Sequence, residues 1–169
     1  MMRRLIGFVM TALVMATILA AATAQTVPPT TATLAFGGLV TQPKSFTLDD
    51  LQKLPATRET VSFMGEHGQE KATYTGVLLW TLLDKAGGPA DTAGKRADLR
   101  HTMTVTGRDG YIVVLSLGEL DPDFGAKGVI VAYSRDGQPF YPARGFRLVV
   151  PGDRHGGRDV RDVISIEVK

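Results

Sequence analysis

The 169-residue chain contains no cysteine, no asparagine and a single tryptophan. The missing cysteine excludes a disulfide framework, thiolate metal ligation, an iron–sulfur cluster, a CxxC redox pair and a cysteine nucleophile. Phosphate-binding loops are missing as well. Gly88 to Lys95 has one residue too many between its glycines for a P-loop, and Arg96 stands where Ser or Thr must meet magnesium. No GxGxxG, GxSxG or HExxH occurs, so dinucleotide-binding, serine-hydrolase and zincin readings lack their residues. Histidine is scarce: His67, His101 and His155 follow no local ligand spacing. They read as surface or hydrogen-bonded loop histidines. A metal site would need two or three of them to converge, with Met64 as a soft copper ligand.

A chain that is 44% hydrophobic and 21% charged is neither a disordered tail nor a multi-span membrane protein, and its length suits one domain. Arg3 and Arg4 precede an apolar run, Leu5 to Ala20, and Ala22-Thr23-Ala24 forms an A-x-A site before Gln25. Residues 1–24 read as a cleaved signal peptide and the destination as the periplasm. The run is nearly long enough for a retained anchor, which needs about 20 apolar residues, but the small-residue site favours cleavage. Arg3-Arg4 is followed by Leu5-Ile6-Gly7 without a fuller twin-arginine motif, so a Sec signal fits better, with both routes open. Basic and acidic residues balance from Gln25 onward, so the pI of about 9.0 partly describes the leader. A neutral mature chain argues against a nucleic-acid partner, and signal cleavage leaves no membrane attachment.

Residues 25–33, rich in Thr and Pro, read as a flexible lead-in to one domain over residues 34–169. Leu34 to Val40 reads as a strand. Thr47 with Asp50 makes a capping box for a helix over Leu48 to Leu54, stopped by Pro55. Glu59 to Met64 reads as a strand, Gly68 to Thr73 as a loop, and Val77 to Ala86 as a helix with Trp80 on its apolar face. Thr102 to Thr106 and Tyr111 to Leu115 flank a hairpin turn at Gly107–Gly110. Asp121-Pro122-Asp123 reads as a loop signal rather than a carboxylate pair. A second hairpin turns at Arg135-Asp136-Gly137, between Gly128 to Tyr133 and Gln138 to Tyr141. Phe146 to Val150 and Val160 to Val168 complete an α+β, β-dominated fold with a few short helices.

Pro151 to Arg161 carries Arg154, Arg158 and Arg161 around the flexible Gly156-Gly157. Two readings stay open. Arginine forks and mobile backbone suit an anion-binding concavity, while Asp153, Asp159 and Asp162 suit a solvated, self-paired loop.

The order of motifs resembles the molybdopterin-binding domain of the sulfite-oxidase superfamily. The matching pieces are Phe46-Thr-Leu-Asp-Asp-Leu51 with Leu54-Pro55, and Tyr74-Thr-Gly-Val-Leu-Leu-Trp-Thr-Leu-Leu83 with Gly87. They continue as Asp109-Gly-Tyr111, Asp136-Gly-Gln-Pro139, Gly145 to Pro151 and Val160 to Ile166. The resemblance implies a mixed, β-dominated fold, an exported oxidoreductase context and a pocket for the molybdenum pterin cofactor. The family holds its metal through a cysteine whose position falls at or near Met64. A neutral thioether is a far weaker ligand for high-valent molybdenum than a thiolate. The family's Asn or His ahead of its Pro-x-Arg step is also missing from Pro142-Ala-Arg-Gly-Phe-Arg147. Arg147 matches that step's arginine. Arg158 and Arg161 match the family's residues near the pterin phosphate, with Arg154 and His155 in the same loop. The expectation is a domain that binds molybdopterin or another small anion without normal molybdenum turnover. The alternatives are an active oxidoreductase with non-cysteine ligation and an interaction module for a periplasmic protein partner.

Overall fold

The computed structural model describes residues 32–65, 68–91, 93–140 and 145–169. The expected leader, most of the lead-in, His67 and the Pro142–Arg144 step lie outside the described residues.

Two sheets build the domain. The first has the order β2-β1-β10-β5-β6, with β1 Thr33–Gly38, β2 Lys44–Thr47, β5 Thr102–Gly107, β6 Ile112–Ser116 and β10 Val163–Val168. Its one parallel contact joins β1 to β10, with Phe36 beside Ile166. Period-2 alternation sends Met103 and Val105 of β5 into the core and its threonines outward. The second sheet has the order β3-β4-β7-β8, with β3 Thr57–Gly65, β4 Gly68–Leu78, β7 Ile130–Arg135 and β8 Gln138–Pro139. β9, Arg147–Val149, also pairs with β7.

The main core draws Leu34, Phe36, Met103, Val105 and Leu115 from the first sheet and Val77, Val131 and Leu148 from the second. Helix α1, Leu48–Gln52, contributes Leu51, and α2, Leu79–Lys85, contributes Leu82 and Leu83. A smaller apolar cluster lies on the opposite face of the second sheet, made by Val61, Phe63, Ala72, Tyr74, Ile130, Ala132 and Val149. Gly156 and Arg147 meet that second face, against Phe63 and over the Tyr74 ring.

The capping box forms as expected. Thr47 Oγ1 accepts from Asp50 N at 3.2 Å, and Asp50 Oδ2 accepts from Thr47 N at 3.0 Å. Trp80 is partly buried against the core. His101 is buried, with its ring nitrogens 3.2 Å from Lys169 O and 3.1 Å from Asp91 O. Asp121 ends α3, Leu117–Leu120, and accepts from Asp123 N at 2.8 Å.

Two expectations need correction. Gly68 to Thr73 is the first half of β4, paired in unbroken register with β3 from Gly65↔Gly68 to Thr57↔Gly76. Its polar composition suits a ribbon running past the core, where Thr60 and Thr73 bond across the strands at 3.0 Å and Gln69 donates to Ser62 at 3.0 Å. Val77 and Leu78 also belong to β4, because they pair with Val131 and Ile130. The helix therefore starts at Leu79.

Candidate functional site

The segment 151–161 leaves β9 and folds back over the end of β3. Phe63 of β3 points into the smaller cluster, whereas Met64 is 54% exposed. Met64 N donates to Arg154 O at 3.1 Å, and Met64 forms an isolated parallel bridge with His155. The next residue must be small: a Cβ on Gly156 would lie 2.7 Å from the Phe63 ring. A single 3-10 turn, Gly156–Arg158, follows, and Tyr111 Oη donates to Gly157 O at 2.7 Å. The loop thus spans from the end of β3 to the β5–β6 hairpin. Arg161 lies at the hairpin end, its carbonyl against Gly107.

The arginines divide into two groups. Arg158 donates from Nε and Nη2 to the two oxygens of Asp153, both at 2.7 Å, and its Nη1 lies 3.2 Å from Glu119 Oε1. Lys127 Nζ joins the same carboxylate at 2.9 Å. Hydrogen bonding to Arg158, with Lys127 assisting, holds the Asp153 carboxyl below the usual carboxylate range. The same bond to Asp153 pushes the Arg158 guanidinium further up.

Arg147 extends from β9 over the Tyr74 ring, 5.1 Å from its centroid, and its Nη2 lies 3.3 Å from Asp159 Oδ2. Both side chains of that pair are largely, though not fully, buried, and Asp159 Oδ1 accepts from Val150 N at 3.0 Å. Burial pushes the Asp159 carboxyl up, against the opposing pull of Val150 N–H and Arg147. Burial likewise raises the Tyr74 phenol. Tyr74 Oη and Arg147 Nε are buried without hydrogen-bond partners.

Arg154, His155 and Arg161 form the second group. All three are exposed, and none makes a side-chain hydrogen bond or ion pair among the described residues. The fold therefore sets Met64 beside His155, with Arg154 next to them in the chain and joined to Met64 through its backbone, commits Arg147 and Arg158 to carboxylates, and leaves Arg161 at the far end of the loop. Sequence reasoning missed Lys127, Glu119 and Tyr74. Only their distance along the chain hides them, because Lys127 and Glu119 reach the loop, and Tyr74 reaches Arg147, through tertiary packing.

A β-dominated domain with an arginine- and carboxylate-rich loop closed over the outer face of its second sheet is the class that these features define. The chain belongs to the oxidoreductase molybdopterin binding domain family, whose model matches residues 21–169. It is similar in fold to the sulfane dehydrogenase SoxCD of Paracoccus pantotrophus, with a TM-score of 0.66 and 22% identity. That likeness covers 84% of this chain but 39% of the other, so the chain spans well under half of that structure's length. No curated protein matches.

The donor chemistry of the site tests how far the family's cofactor fits. The metal does not: with no cysteine in the chain, the expected ligand position holds an exposed thioether. Among the described residues, no group of three or more His, Asp or Glu converges to replace it. On the phosphate side, the orphaned Arg147 Nε is sealed from solvent, and Arg158 is already satisfied by Asp153 and Glu119. Among the described residues of the loop, Arg154 and Arg161 are the guanidinium groups left free to meet an anion, and the His155 imidazole adjoins Arg154.

Proposed function

We propose that this protein is an exported member of its family that takes a pterin or another small anion at the loop 151–161, without the family's molybdenum redox turnover. One observation carries the reading: the expected metal-ligand position is Met64, and among the described residues the Arg154 and His155 beside it have no carboxylate partner. A guanidinium and an imidazole at an exposed corner offer forked and single N–H donors to phosphate or carboxylate oxygens. The redox step has no such provision. A periplasmic location after leader removal belongs to the same proposal and rests on the Ala22-Thr23-Ala24 site.

Metal and pterin analysis of protein purified from a molybdenum-replete host tests it. The expected result is molybdenum far below one per chain, with a fluorescent pterin released on oxidative denaturation. Arg154→Ala with His155→Ala should weaken retention by roughly tenfold or more, since one hydrogen bond to a charged group contributes about 1.5–3 kcal/mol. Stoichiometric molybdenum would overturn the reading, as would retention unchanged by that double substitution.

A second reading, an interaction module, is favoured by the edge of β6. Edge strands invite pairing unless shortened, charged, broken by proline or covered. Among the described strands, β2 is short and carries Lys44, and β8 has two residues including Pro139. The end of β3 is covered by residues 154–155. β6 has none of these devices, and Ile112 and Val114 are 57% and 54% exposed. Gly107 N donates to Tyr111 O at 2.8 Å, a phase that turns the backbone groups of Ile112, Val114 and Ser116 away from β5. The edge is self-complementary. Antiparallel pairing centred on Val114 sets Ile112 against Ser116 of a second copy and opposes no like charges. One short strand pair falls well under the roughly 1,200 Å² of a stable interface, so the dimer should be weak and concentration-dependent. Light scattering across a dilution series should detect it, and Val114→Lys should abolish it. A monomer at every concentration would remove this reading.

A further inference from the structure

The same disagreement between family chemistry and side chains points to a different ion. We propose that Met64 and His155 together form a binding site for a soft monovalent metal, Cu(I) or Ag(I). Their bridge fixes the spacing, because residues directly paired across a sheet project to the same face, on strands about 4.8 Å apart. The bond from Met64 N to Arg154 O pins that register. A thioether and an imidazole so placed can reach one ion between them.

Both side chains are open to solvent, and neither has another partner among the described residues. From Gln25 onward the chain has only two methionines, Met64 and Met103, and Met103 is fully buried. Met64 is thus the one thioether there available to solution.

Selectivity follows from what is missing. Thioether and imidazole suit Cu(I), whereas hard or high-valent ions want oxygen or thiolate donors. Among the described residues, the loop carboxylate nearest in the chain to His155 is Asp153, and both of its oxygens are already engaged by Arg158 and Lys127. Two donors also match the low coordination numbers that monovalent d10 ions accept, and fall short of the four that zinc takes in structural sites.

The site takes its place from the Met64–His155 bridge and does not require a retained pterin, so the two proposals can fail separately. The test is an anaerobic Cu(I) titration of the purified protein against a chromogenic chelator. Methyl NMR of the methionines with Ag(I) runs in parallel. One equivalent should bind, with the Met64 methyl shifting and the Met103 methyl unmoved. Met64→Leu and His155→Ala should each weaken binding by at least the roughly tenfold cost of disturbing a metal site's supporting partners. Both positions are exposed, so folding is preserved, and circular dichroism verifies it. No Cu(I) uptake would overturn the proposal. So would uptake indifferent to both substitutions, or zinc binding of equal strength that survives Met64→Leu.

Discussion

Replacing Arg147 by leucine should cost the fold about 3 kcal/mol at neutral pH, and much less in acid. Arg147 and Asp159 are 11% and 4% exposed as side chains, so the substitution leaves a buried carboxylate with Val150 N–H as its remaining partner. Breaking such a pair from one side typically costs about 3–5 kcal/mol. The lower end applies here for two reasons. Leucine still covers the Tyr74 ring, and the change removes a buried Nε that has no partner. The pH dependence has a definite sign. The Asp159 carboxyl already sits above its ordinary value because burial outweighs its partners, and losing Arg147 raises it further. A group raised on folding keeps its proton in the native state while the unfolded chain releases it at about 3.9. The penalty therefore holds at high pH and shrinks as pH falls through the native value. Asp153 has the opposite linkage. Its depressed value contributes stability above about 3.9 that is lost as pH falls toward the native value. Urea unfolding of wild type and Arg147→Leu at pH 7 and near pH 4 separates the two groups. A deficit equal at both pH values would mean that the Asp159 charge is not its cause. Asp159→Asn added to Arg147→Leu should recover most of the loss at pH 7, since the amide oxygen still accepts from Val150 N.

The Arg147 pair also marks where sequence reading stops. Local chemistry was legible where neighbours in sequence are neighbours in space. Thr47 and Asp50 cap a helix three residues apart. Asp136-Gly137 turns a hairpin with positive φ values of 51° and 78°. Gly107 to Gly110 does the same between β5 and β6. The ordered motifs yielded the β-dominated fold and the family, because glycines, turns and apolar strands recur in one sequence along one chain. The first half of β4 was illegible, since its polar residues satisfy a strand only once β3 is beside them. Partner choice in the loop was illegible for a related reason. Asp153, Asp159 and Asp162 stand equally near the arginines in sequence. Tertiary packing assigns Asp153 to Arg158, brings Lys127 and Glu119 to the same cluster, and buries Asp159 with Arg147. The meeting of Met64 with His155 is likewise a bridge between distant segments, and no spacing rule announces it.

Gly76→Ala should be the most damaging single-atom addition in the second sheet, destabilising by about 3 kcal/mol or preventing soluble expression altogether. Its Cβ would sit 2.2 Å from Val131 O and 2.5 Å from Ala132 Cα. Those atoms belong to the β7 backbone, which cannot swing aside as a side chain can. Overpacking a tight site typically costs about 1–3 kcal/mol, and backbone contacts place this case at the top of that range. Gly76 adjoins the irregularity between Thr75 and Gly76, where the β4–β7 register shifts. This close approach puts Tyr74, two residues earlier, beneath Arg147. The substitution therefore reaches the loop as well as the sheet: pushing β4 from β7 removes the ring on which Arg147 rests and loosens its hold on Asp159. Gly157→Ala makes the control, since a Cβ there meets nothing within 4 Å and the backbone is not left-handed. It should change stability by less than about 0.5 kcal/mol. Thermal melts of the two variants, with the Tyr74 ring followed by NMR, should show a large loss and a displaced ring only for Gly76→Ala. Equal melting temperatures would mean that β4 and β7 can separate at little cost. The glycine of the Tyr74-Thr75-Gly76 motif would then have no structural explanation in strand approach.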